Sequence, residues 1–453
     1  MAFVASFLSP PQAAYVHIPF CHRRCFYCDF PVYVVGDRRH GGNFSPIDDY
    51  VEKLCLEIRC TASRGQPLKT IFFGGGTPSL LTVEQLAKIL QTLIEQFGII
   101  SHPEISLEMD PATFDQEKIQ GYRQLGVNRV SLGVQAFQDD LLKLAGRSHL
   151  VHDIYAAITM LRFADIKNIS IDLISGLPTQ TLATWQATLE AAIALEPQHI
   201  SSYDLIVEPQ TAFARYYQVG ESPLPSDQSA AKMYCLAQEV LTVAGYKHYE
   251  ISNYAKPGYE CKHNYIYWQN QAYYGFGMGA ASYVDGIRYT RPRKTREYYE
   301  WVKFLENQFH SLEKDEPNVK MKNSQAVSVS ELNNLNDLNN SDNSDQVDYL
   351  LETLMLKLRL AEGININEFS AEFGLPTWQK VWQCLLPFYQ SGWIEIFDQE
   401  GKYLSLSSIS QLSDENLPIT GHICLSDPTG FLFSNSILST LFSQLDYPER
   451  VAS

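Results

Sequence analysis

The sequence lacks any uninterrupted apolar run long enough to cross a bilayer, which excludes an integral membrane span. Its first ten residues have no Lys or Arg ahead of their apolar residues, so they do not match a secretory signal peptide. We therefore expect a cytoplasmic protein. With 453 residues, of which 45% are hydrophobic, the chain is long enough to form two or three folded units.

Positive charge is scarce as well. The chain has 35 Lys and Arg residues against 51 Asp and Glu residues, which gives a formal net charge of −16. A protein this acidic repels the phosphate backbone of nucleic acids and the surface of anionic lipid. We therefore expect no nucleic-acid partner.

The cysteine pattern does not indicate a disulfide framework. The nine cysteines are odd in number, and three of them, Cys21, Cys25 and Cys28, lie within eight residues while the other six are scattered. In a reducing compartment, clustered cysteines of this kind indicate metal binding rather than disulfide bonding.

The first half of the chain has the pattern of an α/β fold. From Ala13 to about Ala255, short runs of β-forming residues alternate with segments of helical periodicity, which predicts repeated βα units and a parallel sheet. Six of these runs predict strands, at residues 15–19, 70–74, 105–110, 129–135, 169–177 and 199–207.

The second half changes character twice. Residues 246–322 are rich in Tyr, Gly and basic side chains, and we expect an irregular region there. Residues 323–348 are dominated by Asn, Ser and Asp, which predicts a disordered linker. In residues 349–453, three short helical segments and a hairpin pattern predict a winged-helix-like α+β module. Its net negative charge argues against DNA contact and favours a packing or partner-binding role.

The three clustered cysteines follow the first predicted strand directly, at the end where a parallel barrel carries its reactive loops. Thiolates are the usual ligands of iron–sulfur clusters, and three cysteines leave one iron of a four-iron cubane without a protein ligand. The close spacing favours such a cluster. A zinc site completed by His22, and ordinary buried cysteines, remain alternatives.

A triple glycine follows the second predicted strand, within the segment FFGGGTPS at residues 72–79. Glycine lets the backbone approach a ligand closely, but the same residues would also serve a tight turn into a helix capped by Thr82. Polar residues at or just after later strands predict a ligand site at one barrel mouth, although each has a structural explanation too; they are Glu108, Gln135, Arg147 and Asp172.

The segment YVHIPFCHRRCFYCDF at residues 15–30, together with FFGGGTPS, resembles the radical S-adenosylmethionine superfamily, in its branch of oxygen-independent coproporphyrinogen III oxidase and relatives. The resemblance implies a partial (β/α)6 barrel over residues 1–245 and a [4Fe-4S] cluster on Cys21, Cys25 and Cys28. It also implies contacts to S-adenosylmethionine from Tyr15, Gly75, Gly76, Thr77, Glu108, Gln135, Arg147 and Asp172.

Within this branch the sequence is more similar to the HemW-type heme chaperones than to the oxidases. Phe30 stands where the oxidases have a further cysteine, and the extension before Tyr15 is shorter than theirs. The segment CKHNYIYW, residues 261–268, matches the H-N-x-x-Y-W signature of the chaperones. The resemblance implies heme binding and delivery of heme to apo-proteins, with His263, Tyr267 and Trp268 as candidate heme contacts.

Several alternatives stay open at this stage. Anaerobic oxidation of coproporphyrinogen III is the alternative function, and a zinc-bound scaffold is a third. Local packing is the alternative role of His263. The basic run at residues 288–296 would either pair with heme propionates or form a solvated face. The sequence assigns no catalytic residue, and it leaves open the heme acceptor, the axial ligand and whether the chain forms a homodimer.

Overall fold

The computed structural model of the protein describes residues 9–36, 45–315, 342–405, 408–409 and 417–445. The strands of this part of the chain are β1 (Ala13–Ile18), β2 (Phe20–Cys21), β3 (Tyr33–Val34), β4 (Leu68–Gly75), β5 (Ile99–Met109), β6 (Arg129–Gln135), β7 (Asn168–Ser175), β8 (His199–Asp204), β9 (Lys247–Glu250), β10 (Asn253–Ala255), β11 (Tyr274–Phe276), β12 (Ala281–Val284), β13 (Ile287–Thr290), β14 (Ile364–Asn365), β15 (Ile394–Phe397) and β16 (His422–Leu425).

The helices alternate with these strands in the first half and dominate the last quarter. A short 3-10 turn, Pro78–Leu80, follows β4. The α-helices are α1 (Ser45–Cys60), α2 (Val83–Phe97), α3 (Gln116–Gln124), α4 (Asp139–Leu144), α5 (Val151–Phe163), α6 (Leu182–Ala194), α7 (Ala212–Tyr216), α8 (Asp227–Val243), α9 (Lys262–Trp268), α10 (Thr295–Asp315), α11 (Asp342–Lys357), α12 (Ile366–Phe373), α13 (Leu375–Gln390), α14 (Thr429–Leu432) and α15 (Ser434–Leu445).

The predicted α/β fold class is confirmed. Strands β1, β4, β5, β6, β7 and β8 pair in that order and are parallel throughout. They correspond to the six predicted strands. Helices between them cover the outer face, and Thr82 caps α2 through a capping box with Gln85, as expected. The carboxyl ends of the six strands therefore meet at one mouth.

The region after residue 246 is more regular than its composition predicts. Strand β11 adds to the sheet in parallel beside β1, while β10 and β9 add antiparallel pairings beyond β8. The sheet thereby has nine strands within the described residues. These additional strands have only three or four residues, too few for alternation of polar and apolar side chains to be recognised in the sequence.

The C-terminal module covers the far edge of this sheet. Its strands pair in the order β14–β16–β15 and pack with α12 and α13 around a core that includes Trp378 and Leu385. The wing was expected as a hairpin at residues 393–407. The backbone agrees with this pattern: the Leu404 N–H donates to the carbonyl of Ile396 at 2.8 Å, the Asp398 N–H donates to that of Lys402 at 2.9 Å, and Phe397 forms an antiparallel bridge with Tyr403. Strand β15 also pairs with β16, which the sequence did not predict. Backbone bonds join residues 359–361 to β9 and the residue after it.

The Asn-rich segment falls largely outside the described residues, which resume at residue 342. Helix α11 begins there, inside the segment predicted as linker. Within the described residues, no helix combines the length and the apolar character that a membrane-spanning segment requires.

A buried ion pair fastens the region after residue 246 to the barrel. The Arg291 Nε atom donates to Glu57 Oε1 of α1 at 2.8 Å, and both side chains are almost fully buried. The second carboxylate oxygen of Glu57 accepts from the Gly277 backbone N–H at 2.9 Å and from the Tyr298 hydroxyl at 2.7 Å. Arg291 also donates to the Ser282 hydroxyl. One carboxylate thus holds β11, β13 and α10 against α1.

Replacing Arg291 should therefore destabilise the whole barrel edge. In Arg291→Met the Glu57 carboxylate loses its counter-charge inside the protein, so we expect the free energy of unfolding to fall by about 3 kcal/mol in urea denaturation. The matched control is Lys294→Met, since Lys294 pairs with Glu297 on the surface. That control should leave the denaturation midpoint unchanged, and a loss below about 1 kcal/mol for Arg291→Met would contradict the role assigned to the pair.

Candidate functional site

The mouth of the barrel contains a cavity of about 430 Å³. It opens where the six parallel strands end, the position at which barrels of this kind carry their ligands. The cavity brings together nearly all the side chains and glycines selected from the sequence, namely Cys21, Cys25, Cys28, Gly75, Gly76, Thr77, Glu108, Gln135, Arg147 and Asp172. Tyr15 lines an adjoining cavity of about 210 Å³, which shares Gly75, Glu108 and Asp172 with the first.

The cysteine loop connects β2 to β3 and is fastened to the barrel by its backbone. The Phe26 N–H donates to the carbonyl of Ala145 at 3.0 Å, and the Val35 N–H donates to the carbonyl of Cys21 at 2.9 Å. Within the loop, Arg24 donates to the carbonyl of Cys28 at 3.1 Å and to that of Phe30 at 3.2 Å. These contacts fix where the cysteines lie relative to the strand ends.

The three thiols form no disulfide, and side-chain hydrogen-bond donors are directed at two of them. The Thr77 hydroxyl donates to Cys21 Sγ at 3.5 Å, and Arg147 Nη1 donates to Cys25 Sγ at 3.4 Å. Donors of this kind stabilise cluster-bound thiolates. Burial raises the pKa of Cys21 to about 12 and that of Cys28 to about 11. Metal binding at these thiols would therefore release protons.

The chemistry of the donor set fits an iron–sulfur cluster. Cys21, Cys25 and Cys28 line one cavity, and thiolates are the usual ligands of such clusters. Their assignment as the ligands remains a prediction.

The close packing of β4 against β1 requires glycine at the end of β4. Gly75 has a φ of +111°, and a Cβ atom there would collide with the imidazole ring of His17. A Cβ atom at Gly76 would lie 2.8 Å from the carbonyl oxygen of Phe20. The Thr77 N–H donates to that same carbonyl at 2.7 Å. The close approach brings the glycine segment against the start of the cysteine loop and leaves its other side open to the cavity.

An ion pair between Arg147 and Asp110 connects the cysteines to the strand ends. Arg147 Nη2 donates to Asp110 Oδ2 at 2.7 Å and to the carbonyl of Gly133 at 2.7 Å. Burial alone would raise the pKa of Asp110, but Arg147 and His149 hold it well below the usual range. Asp110 was missed by sequence reasoning. Its position directly after β5 is the signal that identifies it.

Gln135 ends β6 in an unusual backbone conformation. Its φ is +69°, in the left-handed region, and a register irregularity between Gly133 and Gln135 interrupts the pairing of β6 with β7. A Cβ atom at Gly133 would lie 3.1 Å from Arg147 Nη2 and 3.2 Å from Gln135 Nε2. Glycine at position 133 thus makes room for both side chains. Strain of this kind at a strand end is typical of ligand sites.

Two partly buried carboxyl groups line the cavity. Glu108 Oε2 accepts the Gly75 N–H at 2.9 Å, and burial raises the pKa of Glu108 to about 7. Asp172 accepts from the Ser131 hydroxyl at 2.8 Å, and burial raises its pKa as well. Both carboxyl groups are therefore placed to accept hydrogen bonds from a cationic ligand, which would favour their ionised forms.

The H-N-x-x-Y-W segment lines the adjoining cavity rather than the cysteine cavity: His263, Asn264 and Tyr267 lie there together with Phe30 and Tyr203. His263 Nδ1 bonds Thr70 Oγ1 at 2.8 Å and His263 Nε2 bonds the Tyr267 hydroxyl at 2.8 Å, while the imidazole stacks on Phe72. Burial lowers the pKa of His263 to about 3. Because both ring nitrogens are engaged, axial ligation of heme by His263 does not fit this geometry. Trp268 lines neither cavity.

The basic run does not form one anion-binding face. Arg288 pairs with Glu352, Arg291 with Glu57, Lys294 with Glu297 and Arg296 with Glu300. Arg293 differs from the others, because it extends to the cysteine loop and donates to the carbonyl of Asp29 at 3.3 Å. Of the two roles left open for this run, pairing of all its members with propionates does not agree with these ion pairs.

The sequence of the protein is similar to known protein families over both the barrel and the C-terminal module. The sequence profile of the radical SAM superfamily matches residues 15–192, and that of the HemN C-terminal domain matches residues 345–407. The heme chaperone HemW of Synechocystis sp. is 44% identical over 96% of this chain and 97% of its own. The chain belongs to the HemW family of heme chaperones. The HemW protein of Bacillus subtilis is 40% identical over 64% of this chain and 76% of its own.

A solved structure shows the same fold in a related protein. Coproporphyrinogen III oxidase (HemN) from Escherichia coli, described as a radical SAM enzyme, superposes with a TM-score of 0.70 over 98% of this chain and 92% of its own. Its sequence identity is 22%, so the similarity concerns the fold alone. Membership of the HemW family and the shared fold confirm the relationship expected from the cysteine and glycine segments.

The cluster assignment predicts different effects for two cysteine substitutions. Cys28→Ala removes one of three ligands, so anaerobically reconstituted protein should lose its iron–sulfur absorbance. Cys384→Ala is the control, since Cys384 packs in the core of the C-terminal module, away from the mouth. It should keep the wild-type spectrum. An unchanged spectrum for Cys28→Ala would contradict the assignment.

The raised pKa of Glu108 predicts a pH dependence of ligand binding. The pKa of Glu108 is about 7, so at lower pH its carboxyl group is protonated in the free protein and must lose its proton to pair with a cationic ligand. The affinity for S-adenosylmethionine, measured by anaerobic calorimetry, should therefore increase as the pH rises towards 7, by up to about tenfold per unit. Glu108→Gln should bind more weakly and lose this part of the dependence, because the amide does not titrate. Parallel pH profiles for both proteins would exclude Glu108.

Proposed function

We propose that the protein is a cytoplasmic heme chaperone that binds heme, carries a [4Fe-4S] cluster with S-adenosylmethionine, and delivers heme to acceptor apo-proteins. The observation that carries the proposal is membership of the HemW family together with a barrel mouth that has both the three cysteines and the two carboxyl groups. Cys21, Cys25 and Cys28 line one cavity with Glu108 and Asp172. The cluster would supply an iron with a free coordination position and a source of one electron.

The residues of the chain have separable roles in this proposal. The three cysteines hold the cluster, and Thr77 and Arg147 donate hydrogen bonds to two of their sulfur atoms. Glu108 and Asp172 accept hydrogen bonds from the polar part of S-adenosylmethionine. The glycine segment after β4 leaves its backbone accessible beside the cysteine loop.

Phe30 separates this proposal from oxidation of coproporphyrinogen III. The oxidase pattern has a cysteine at this position, whereas here an aromatic side chain is 54% exposed beside the cavity. An aromatic ring supplies no metal ligand, but it does provide a surface for a flat apolar molecule. The similarity to the solved oxidase structure concerns the fold and does not favour the oxidase reaction.

The proposal is tested by heme transfer under anaerobic conditions. Reconstituted protein is titrated with heme and then mixed with a b-type apo-cytochrome, with the cluster reduced or oxidised and with S-adenosylmethionine present or absent. We expect a shift of the Soret band on binding and the spectrum of the holo-cytochrome after mixing. In parallel, incubation with coproporphyrinogen III should give no decarboxylated product. Absence of heme binding and transfer would refute the proposal, and product formation would establish the oxidase instead.

A further inference from the structure

Large apolar side chains are exposed around the mouth of the barrel. Phe30 is 54% exposed, Tyr203 is 44% exposed and Ile206 is 68% exposed, and all three line the cavity that holds the cysteines. Single exposed apolar residues are ordinary on protein surfaces, but several around one concave opening indicate a binding surface.

These side chains come from two segments that form walls of the same cavity. Phe30 and Val32 belong to the cysteine loop, while Tyr203, Leu205 and Ile206 lie at and after the end of β8. We call these five residues the mouth rim. The cysteine-loop wall is fixed by the contacts of Arg24 to the loop carbonyls, and the β8 wall is fixed by the Leu205 N–H, which donates to the carbonyl of Ser175 at 2.9 Å.

Two exposed arginines lie beside the Phe30 wall. Arg24 Nη2 donates to the carbonyl of Phe30, and Arg293 Nη2 donates to the carbonyl of the preceding residue, Asp29. A guanidinium has five N–H donors, so each of these contacts leaves donors for an anion. Asp204, the acidic residue of the β8 wall, accepts from the Ser175 hydroxyl. In a chain of net charge −16, the Phe30 wall is therefore accompanied by two arginines, which outnumber its one exposed acidic residue, Asp29.

An occupant that matches this surface is flat, largely apolar and carries negative charge at one edge. Heme has this chemistry, because its macrocycle is planar and aromatic and its two propionates lie on one side. Aromatic rings favour stacked or edge-to-face contacts, which Phe30 and Tyr203 offer from the two walls. Arginine binds carboxylates through paired N–H donors.

We propose that the mouth rim is the heme-binding site, with the macrocycle between Phe30 and Tyr203 and the propionates on Arg24 and Arg293. The inference rests on the proposed heme-chaperone function and adds the location of the heme. It places the porphyrin at the opening of the cysteine cavity and assigns no axial ligation to His263, which lines the adjoining cavity with Phe30 and Tyr203 but has both ring nitrogens engaged.

The first test introduces a charge into the β8 wall. Ile206→Glu should weaken heme binding at least tenfold in absorbance titrations of the full-length, anaerobically reconstituted protein, since the carboxylate would meet the macrocycle and repel the propionates. Val243→Glu is the matched control, because Val243 is 85% exposed at the end of α8, where the chain leads into the start of β9. Both variants should retain the cluster absorbance of the wild type, which reports on folding of the mouth.

The second test separates the propionates from the macrocycle. Wild-type protein should bind heme more tightly than heme dimethyl ester, in which both carboxylates are neutral. Arg293→Gln should reduce this preference by about tenfold while leaving the affinity for the ester unchanged. Equal preference in the variant and the wild type would overturn the assignment of the propionates.

The outcomes distinguish the site from the function. If the wild type binds no heme, the proposed function itself fails. If the wild type binds heme and Ile206→Glu binds it equally well, the function stands and the mouth rim is not the site. Equal heme affinity combined with slower transfer to the apo-cytochrome would make the rim a contact surface for the acceptor protein, which would also overturn the proposal.

Discussion

The close contact between β1 and β4 is the constraint on which the rest of the structure depends. At the end of β4 the chain lies so near β1 that a side chain at Gly75 or Gly76 would collide with His17 or with the backbone before Cys21. This contact fixes the start of the cysteine loop against the glycine segment. Thr77, the next residue, can then donate both its backbone N–H to Phe20 and its hydroxyl to the Cys21 sulfur.

From this contact the mouth is built by parallel pairing. Because the six strands end on one side, Glu108, Gln135 and Asp172 arrive at the same cavity from three strands. The Arg147–Asp110 ion pair then links the cysteine loop to β5 and β6. The polar wall inside the cavity and the apolar mouth rim at its opening differ in chemistry. The same mouth therefore offers one surface for a charged cofactor and a second surface for a flat apolar ligand.

Much of this arrangement is predictable from the sequence, for identifiable physical reasons. The six strands are detectable because each is a run of β-forming residues within a βα repeat, and the cysteine spacing carries its own chemistry. Asp110 is harder to identify because its importance comes from Arg147, which is distant in the chain. The role of His263 depends on Thr70 and Tyr267 occupying its two nitrogens, and no sequence pattern reports such pairings. The strands β9 to β11 are defined by their partners more than by their composition.

The central claim is that three cysteines hold a cubane and leave one iron accessible to S-adenosylmethionine. Mössbauer spectroscopy of wild-type protein reconstituted with ⁵⁷Fe tests it most directly. We expect the spectrum of a [4Fe-4S] cluster in which one iron of four changes its isomer shift and quadrupole splitting when S-adenosylmethionine is added. A spectrum without a cubane signal, or one in which no iron responds to S-adenosylmethionine, would contradict the account.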